Sequence, residues 1–446
     1  MGILSATMPK WKFSRRNLFI IVLIVLAAQI VDESIGGLAD ILKGFTISFS
    51  GISLFIILAV IYGIGQSFIL GMVKAKNKEQ QIKRTHFNAV ERIVRVVQAI
   101  LIAIMVFVVF QIVFASQYYT TILNSGVTIS GGLAIYLMGL FAYWLLSWFK
   151  KTRAFIVLLF GLAMVATSIS IMAMVVLFNV VWLQKPTTIT PTSEVVFGAG
   201  PEMQQFANTI QTDFGIASFI LVWAGTVLLL RHNIQRIGKV KFWTLLSAPI
   251  IIFSSSYLSL YQSLAATIET NDPTLSLVLP LLLIIFSGLA SSTLIGFAFR
   301  SIAKPLSDST PIKDYLIITS YGFILFFVTT LTSPAIGYPP FGFVNVLLLG
   351  PFSFVILNGL YRSAISVAED SNLRASIKNL AKKELKLLGD IGTAEMYNDV
   401  ERRVTALTRS RADMLTEQSG IEPSLTDNEV RDYLVVVTKE IKNYEK

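Results

Sequence analysis

Residues 154–183 read AFIVLLFGLAMVATSISIMAMVVLFNVVWL, thirty residues without a charged side chain. A helix rises 1.5 Å per residue, so about twenty apolar residues cross the hydrocarbon core of a bilayer. This run is longer than one straight crossing needs and is expected to tilt or to project beyond the bilayer. The rest of the chain resembles it. Of 446 residues, 54% are hydrophobic and 14% charged, and mean hydropathy is +0.67. Soluble domains carry about 25% charged residues. The deficit extends over most of the chain, which predicts an all-α, polytopic membrane protein. Ten runs are long enough to span: 16–33, 52–72, 94–115, 130–149, 154–183, 214–231, 243–265, 275–299, 315–332 and 343–364. A transmembrane domain over 1–369 and a short helical tail over 370–446 follow from this pattern.

Loop charge orients the spans. Up to residue 369 the chain has 24 Lys and Arg residues, and 22 of them fall in one alternate set of stretches or at the helix ends beside it. The opposite set holds Lys43 and Lys185, together with Asp32, Glu33, Asp40, Glu194, Glu202, Asp213, Glu269 and Asp272. The positive-inside rule then places both termini in the cytoplasm, in a cell membrane. The first run, within SRRNLFIIVLIVLAA, has the basic flank and short apolar core of a signal peptide. With further spans downstream and no clean cleavage site, an uncleaved anchor is expected; cleavage would leave nine spans. Between the first two runs, GGLADILKGF puts Leu38, Ile41, Leu42 and Phe45 on one helical face, as in a helix lying on the interface. In the stretch 184–213, PEMQQFANTIQ is expected to form a short helix with Pro201 at its first position.

Several function classes lose support. The formal net charge is +10, but it follows the topology, so no nucleic-acid partner is expected. There is no cysteine, and His86 and His232 are the two histidines; thiolate and histidine-rich metal sites are therefore not expected. No phosphate loop, nucleophile elbow or metalloprotease motif occurs. Neither catalysis nor a cofactor is expected. The central stretches of the spans carry no charge, and Arg95, Arg300 and Arg362 lie near inner ends where long side chains snorkel.

Uncharged polar groups supply the candidate site. In SSSYLSLYQS (254–263), Ser254, Tyr257 and Tyr261 share one helical face and Ser255, Ser259 and Gln262 lie beside it. Polar groups on successive turns of an apolar helix need partners, either neighbouring helices or a ligand. Gly288, Ser292 and Gly296 form a small-residue stripe that suits close helix packing. Pro249, Pro280 and Pro351 break late spans, and Gly350-Pro351 makes the last span the best hinge. Before it, SPAIGYPPFG (333–342) reads as a stiff outer turn with Tyr338 and Phe341 at headgroup level. Tyr257, Tyr261, Gln262, Tyr338, Phe341 and Pro351 are thus the candidate ligand or gating residues.

The tail is nearly neutral. Leu373, Ile377, Leu380, Glu384, Leu387 and Ile391 follow coiled-coil spacing, GDIG interrupts it, and Val400, Val404, Leu407, Arg411 and Met414 resume it. TDNE (426–429) fits a capping box before an apolar face of Val430, Leu434, Val437 and Ile441. The tail would pair with a second copy, with itself or with a cytoplasmic protein. GYPPFG and the later ISVAEDSNLRASIKNLAKKELKLLGDIGTAEM resemble the last span and tail of multi-pass membrane proteins of archaea to which no activity is attached. That likeness implies an archaeal cell membrane and carries over no functional residue. The expected role is a sensor- or receptor-like module that relays an outer or membrane signal to the tail; the alternatives are a transporter or channel for a neutral or lipid-like solute, or a structural subunit of a membrane complex.

Overall fold

The computed structural model describes residues 13–38, 42, 45, 48–79, 85–115, 117–182, 186–188, 201–231, 234, 238–255, 273–306, 310–332, 341–369 and 386–419. Its helices are α1 (Arg15–Gly37), α2 (Phe49–Glu79), α3 (Thr85–Ala115), α4 (Thr120–Thr152), α5 (Phe155–Trp182), α6 (Pro201–Leu230), α7 (Lys239–Ser255), α8 (Pro273–Ala303), α9 (Pro311–Thr332), α10 (Phe343–Val346), α11 (Leu349–Glu369) and α12 (Lys386–Ser419). Among the described residues nine stretches are long and apolar enough to cross a membrane. They match nine of the ten expected runs. The remaining one, 243–265, appears as α7 up to Ser255 and continues outside the described residues. The protein is a multi-pass helical membrane protein.

The chain divides into two compact units, one of 1–146 and 155–363, the other of Ser147–Ala154 and Ala364–Lys446. In the first unit α5 packs along α6 and α8 along α9. Hydroxyls join these apolar surfaces: Thr167 and Ser218 share a hydrogen bond of 2.6 Å between α5 and α6, and Ser320 of α9 donates to the carbonyl of Gly296 at 2.6 Å. A Cβ on Gly296 would clash with Ile324, and Ser292 is fully buried. The small-residue stripe therefore packs helices. Two short strands, β1 (Gln117–Tyr119) and β2 (Pro186–Thr188), pair antiparallel with Tyr118 opposite Thr187. Pro201 opens α6, as its fixed φ favours, but the helix continues without a break into the span instead of ending after one or two turns.

The last span lies at the centre of its unit. Every described side chain over 344–363 is buried, so this helix meets protein on all sides. Gly359 lets it approach α9, because a Cβ there would lie 2.8 Å from the Tyr315 carbonyl oxygen and 2.9 Å from the Thr319 nitrogen. The hinge has a different form from the expected kink. Helix α10 stops at Val346, the chain turns, and α11 starts at Leu349. Pro351 thus occupies the first turn of a new helix, where its missing N–H costs nothing. Ser130 of α4 satisfies the break: its hydroxyl lies 2.8 Å from the Leu347 carbonyl and 3.2 Å from that of Val346, and accepts from the Gly350 N–H at 3.1 Å.

In the second unit GDIG does not interrupt a helix. Residues 389–392 lie inside α12, and Gly392 brings that helix against Val367. The absent Cβ makes the contact, which offsets the helix-propensity cost of glycine. Leu387 and Ile391 of the expected coiled-coil seam are buried. Trp148 donates to Glu395 at 3.1 Å, Arg402 pairs with Glu395 at 3.0 Å, and Lys151 pairs with Glu401 at 2.6 Å. Leu373, Ile377, Leu380 and Glu384, and the segment from Gly420 with TDNE, lie outside the described residues.

Candidate functional site

Two polar clusters join the same three helices of the first unit, one at each end of α1. The first overturns an expectation. Asp32 and Glu33 are not loop residues: α1 continues to Gly37, and both lie within its candidate span at 0% and 1% exposure. Gln29, Asp32 and Glu33 are spaced three and four apart, so they share one helical face. That face meets α9 and the segment entering α10. The Gln29 amide nitrogen donates to Thr329 Oγ1 and to Asn345 Oδ1, both at 2.8 Å. Asn345 in turn donates to Glu33 Oε1 at 2.6 Å, and Thr329 lies 3.0 Å from Asn345 Oδ1. Asn345 is therefore the hub that connects α1, α9 and α10.

Asp32 is held by the start of the broken span. The Gly342 N–H donates to its carboxylate at 2.9 Å. Gly342 has φ of +80°, a conformation open to glycine and strained for other residues, and it aims the N–H at the carboxylate. From α2 the Tyr62 hydroxyl reaches the other Asp32 oxygen at 3.4 Å. Next to it, Phe341 is 1% exposed and packs edge-on against Phe55 with centroids 5.6 Å apart. Phe341 is thus packed inside the bundle. Tyr338, Tyr257, Tyr261 and Gln262 lie outside the described residues.

One turn along α2 from Tyr62, on the same face, is Gln66. It is 1% exposed, and neither its amide oxygen nor its amide nitrogen has a hydrogen-bond partner among the described residues. Isolated polar groups inside a membrane protein cost free energy and mark a functional position or bound solvent.

The second cluster closes the far end. Asp314 of α9 accepts from Arg15 of α1 at 2.6 Å and pairs with Lys76 of α2 at 2.8 Å. Lys76 also pairs with Glu79 at 3.0 Å and lies 5.5 Å from the Phe13 ring centroid. Asn77 donates to Asn358 of α11 at 3.0 Å and accepts from Tyr315 at 3.3 Å. Arg362 does not snorkel. It is 2% exposed, with its guanidinium 5.0 Å from the Phe87 centroid, and Phe87 stacks on Tyr361 at 5.3 Å. A buried guanidinium is tolerated over aromatic faces because it is weakly hydrated and planar.

Sequence reasoning missed these clusters for identifiable reasons. The Gln-x-x-Asp-Glu spacing of 29–33 was visible, but its meaning depends on α1 continuing past Glu33. The partners stand about 300 residues away in sequence, at Thr329 and Asn345. No three His, Cys, Asp or Glu residues gather into a metal-binding group among the described residues.

Known protein families, curated proteins and solved structures offer no match to this chain. The likeness of its last span and tail to archaeal membrane proteins therefore rests on the quoted words alone, and what the chain itself establishes is an integral, multi-pass helical membrane protein.

Proposed function

We propose that the protein is a membrane transporter, without enzymatic activity, that moves a small polar or ionic solute along the α1–α2–α9 interface, with the α10–α11 break as its moving part. The carrying observation is Asp32, a carboxylate wholly buried in a candidate span whose neutral donors come from α2 and from the backbone of the broken segment. Intramembrane carboxylates are expensive and characteristic of ion pathways, and discontinuous helices build such sites in transporters. Gln66 extends the polar surface toward the cluster at Asp314, Lys76 and Asn77. Loop charge supports a cell-membrane orientation with both termini in the cytoplasm.

Proteoliposomes holding the full chain test this role. Separate Na⁺, K⁺ and pH gradients are imposed and followed with entrapped cation- and pH-sensitive dyes. At least one gradient is expected to dissipate faster than in empty vesicles, with Asp32→Asn and Gln66→Leu reducing the rate at least tenfold. Wild-type vesicles that match empty ones under every gradient would refute transport.

A sensor-like role is favoured by one further observation. Helix α11 runs unbroken from Leu349 to Glu369, and its last turns pack on α12 through Val367 and Gly392. Movement at the break therefore has a continuous lever into the tail, where a second copy or a cytoplasmic protein would read it. A maleimide label on Leu407→Cys should then react at a different rate in an Asn345→Leu background; an unchanged rate counts against signalling.

A further inference from the structure

We infer that a cavity between α5, α6 and α9 binds one uncharged hydrogen-bond donor of water's size, water or ammonia, near the middle of the membrane. This site shares no residue with the clusters at Asp32 and Asp314 and does not depend on the transport role.

Helical spacing brings its walls together. Thr167, Ser170 and Met174 of α5 lie at intervals of three and four, as do Gln211, Gly215 and Ser218 of α6, so each set shares one helical face. The two faces bond directly: Thr167 to Ser218 at 2.6 Å, and Ser170 to the Gln211 carbonyl at 3.0 Å. These residues, with Phe327 of α9, line a cavity of about 40 Å³. Thr167 and Ser218 fall near the centres of the candidate spans Phe155–Asn179 and Glu202–Leu230, so the cavity lies where the surrounding bilayer is hydrocarbon.

Three observations define the occupant. The first is an unmet polar atom. Gln211 is 7% exposed, and its buried Oε1 has no donor among the described residues, a costly state that a bound donor relieves. The second is the state of the neighbouring hydroxyls. Thr167 gives its proton to the Ala163 carbonyl at 2.9 Å, so Ser218 donates the bond between them. Ser170 gives its proton to the Gln211 carbonyl. Lone pairs of Ser218 and Ser170 remain, and with Gln211 Oε1 they make a lining that accepts more than it donates. No charged side chain is among the described residues that line it, so a cation would lose its water without gaining a counter-charge. The third is size. One water takes about 30 Å³ of liquid, whereas a cavity of about 150 Å³ takes benzene. The cavity of about 40 Å³ therefore suits one very small molecule. Water and ammonia meet all three conditions. Both also accept, so they suit either orientation of the Gln211 amide.

Radiolytic footprinting of the purified full chain in lipid nanodiscs tests this, because irradiated water oxidises the side chains beside it and a dry interior stays unmarked. Met174 lines the cavity and is 3% exposed; Met138 of α4 is 0% exposed and lies outside it. Sulfoxide formation, read by mass spectrometry, is expected to be at least tenfold faster at Met174 than at Met138. Gln211→Leu removes the unmet acceptor. Gly215→Ala adds a methyl group to the lining 3.5 Å from Ser170 Oγ, an ordinary contact. Each variant, with its fold checked by the tryptophan unfolding transition, should lower the Met174 to Met138 ratio at least threefold. Ammonium chloride at alkaline pH, compared with trimethylamine, which is too large to enter, separates the two sources, and radical scavenging cancels in the ratio. A fall with ammonia alone assigns ammonia; an unchanged ratio assigns water. Equal wild-type rates at Met174 and Met138, or a ratio unchanged in both folded variants, would overturn the inference.

Discussion

Replacing Asn345 with leucine removes hydrogen bonds while keeping the branching and number of side-chain heavy atoms, so the loss can be worked out from the contacts. Asn345 makes one bond to a carboxylate, Glu33 at 2.6 Å, and two to neutral groups, Gln29 at 2.8 Å and Thr329 at 3.0 Å. Neutral bonds between membrane helices contribute about 0.6 kcal/mol each on average. A bond to a charged group contributes about 2 kcal/mol. The sum predicts that Asn345→Leu destabilises the protein by about 3 kcal/mol, most of it through Glu33 losing a donor inside the bundle. A thiol-reactive unfolding dye will not report this, because the chain has no cysteine; its six tryptophans serve instead, in a denaturant titration of the detergent-solubilised protein. Thr329→Val should cost less than Asn345→Leu, and the double variant should fall short of the sum, since the two residues share a bond. A loss below about 0.5 kcal/mol, or strict additivity, would mean that Asn345 is not the hub of the cluster.

Further outcomes follow from the same contacts. Ser130→Ala should cost about 1–3 kcal/mol, because it leaves a buried N–H and carbonyl unpaired at the break, and equal midpoints for the two proteins would refute that role. Gly359→Ala should lower the thermal midpoint by an amount corresponding to about 1–3 kcal/mol, since its Cβ would press on the α9 backbone; a neutral outcome would show that the two helices separate freely. Asp314→Asn should cost about 2 kcal/mol, less than a fully buried pair, because Lys76 keeps Glu79 and Arg15 is a third exposed; its effect should persist in high salt, and a loss that disappears in salt would place the pair at the surface. Val400 and Leu407 are 45% and 64% exposed and one heptad apart, so single cysteines there should crosslink between copies in membranes if the tail dimerises, and absence of crosslinks at both positions would exclude this seam.

The spans were legible in the sequence because hydropathy over twenty residues is a local property. Ala154 to Leu183 could hardly be anything but a membrane helix. The tail's seam was only half legible. Leu387 and Ile391 follow coiled-coil spacing, yet they are already buried within the single chain, since spacing defines an apolar face and not its occupant. Asp32 shows the limit most clearly. A carboxylate after an apolar run reads as the first residue outside the bilayer, and its contacts with Tyr62 and with Gly342, 310 residues away, show that it faces inward. Gly342 itself was visible as the end of SPAIGYPPFG, but its positive φ and the direction of its N–H were not.

Ser130 has a consequence for the mechanics of the last span. A helix in hydrocarbon resists bending because every strained turn strips a backbone group of its partner with no water to replace it. At the α10–α11 break, a neighbouring helix supplies one hydroxyl that touches both halves, with its Oγ 2.8 Å from one carbonyl oxygen and 3.2 Å from the next. Turning that hydroxyl passes the proton from one carbonyl to the other while its lone pair continues to hold Gly350. The joint thus has two bonded settings separated by a side-chain rotation. Flexing is cheap at this one level of the membrane and costly above and below it, so the rods on either side can stay rigid while the angle between them changes.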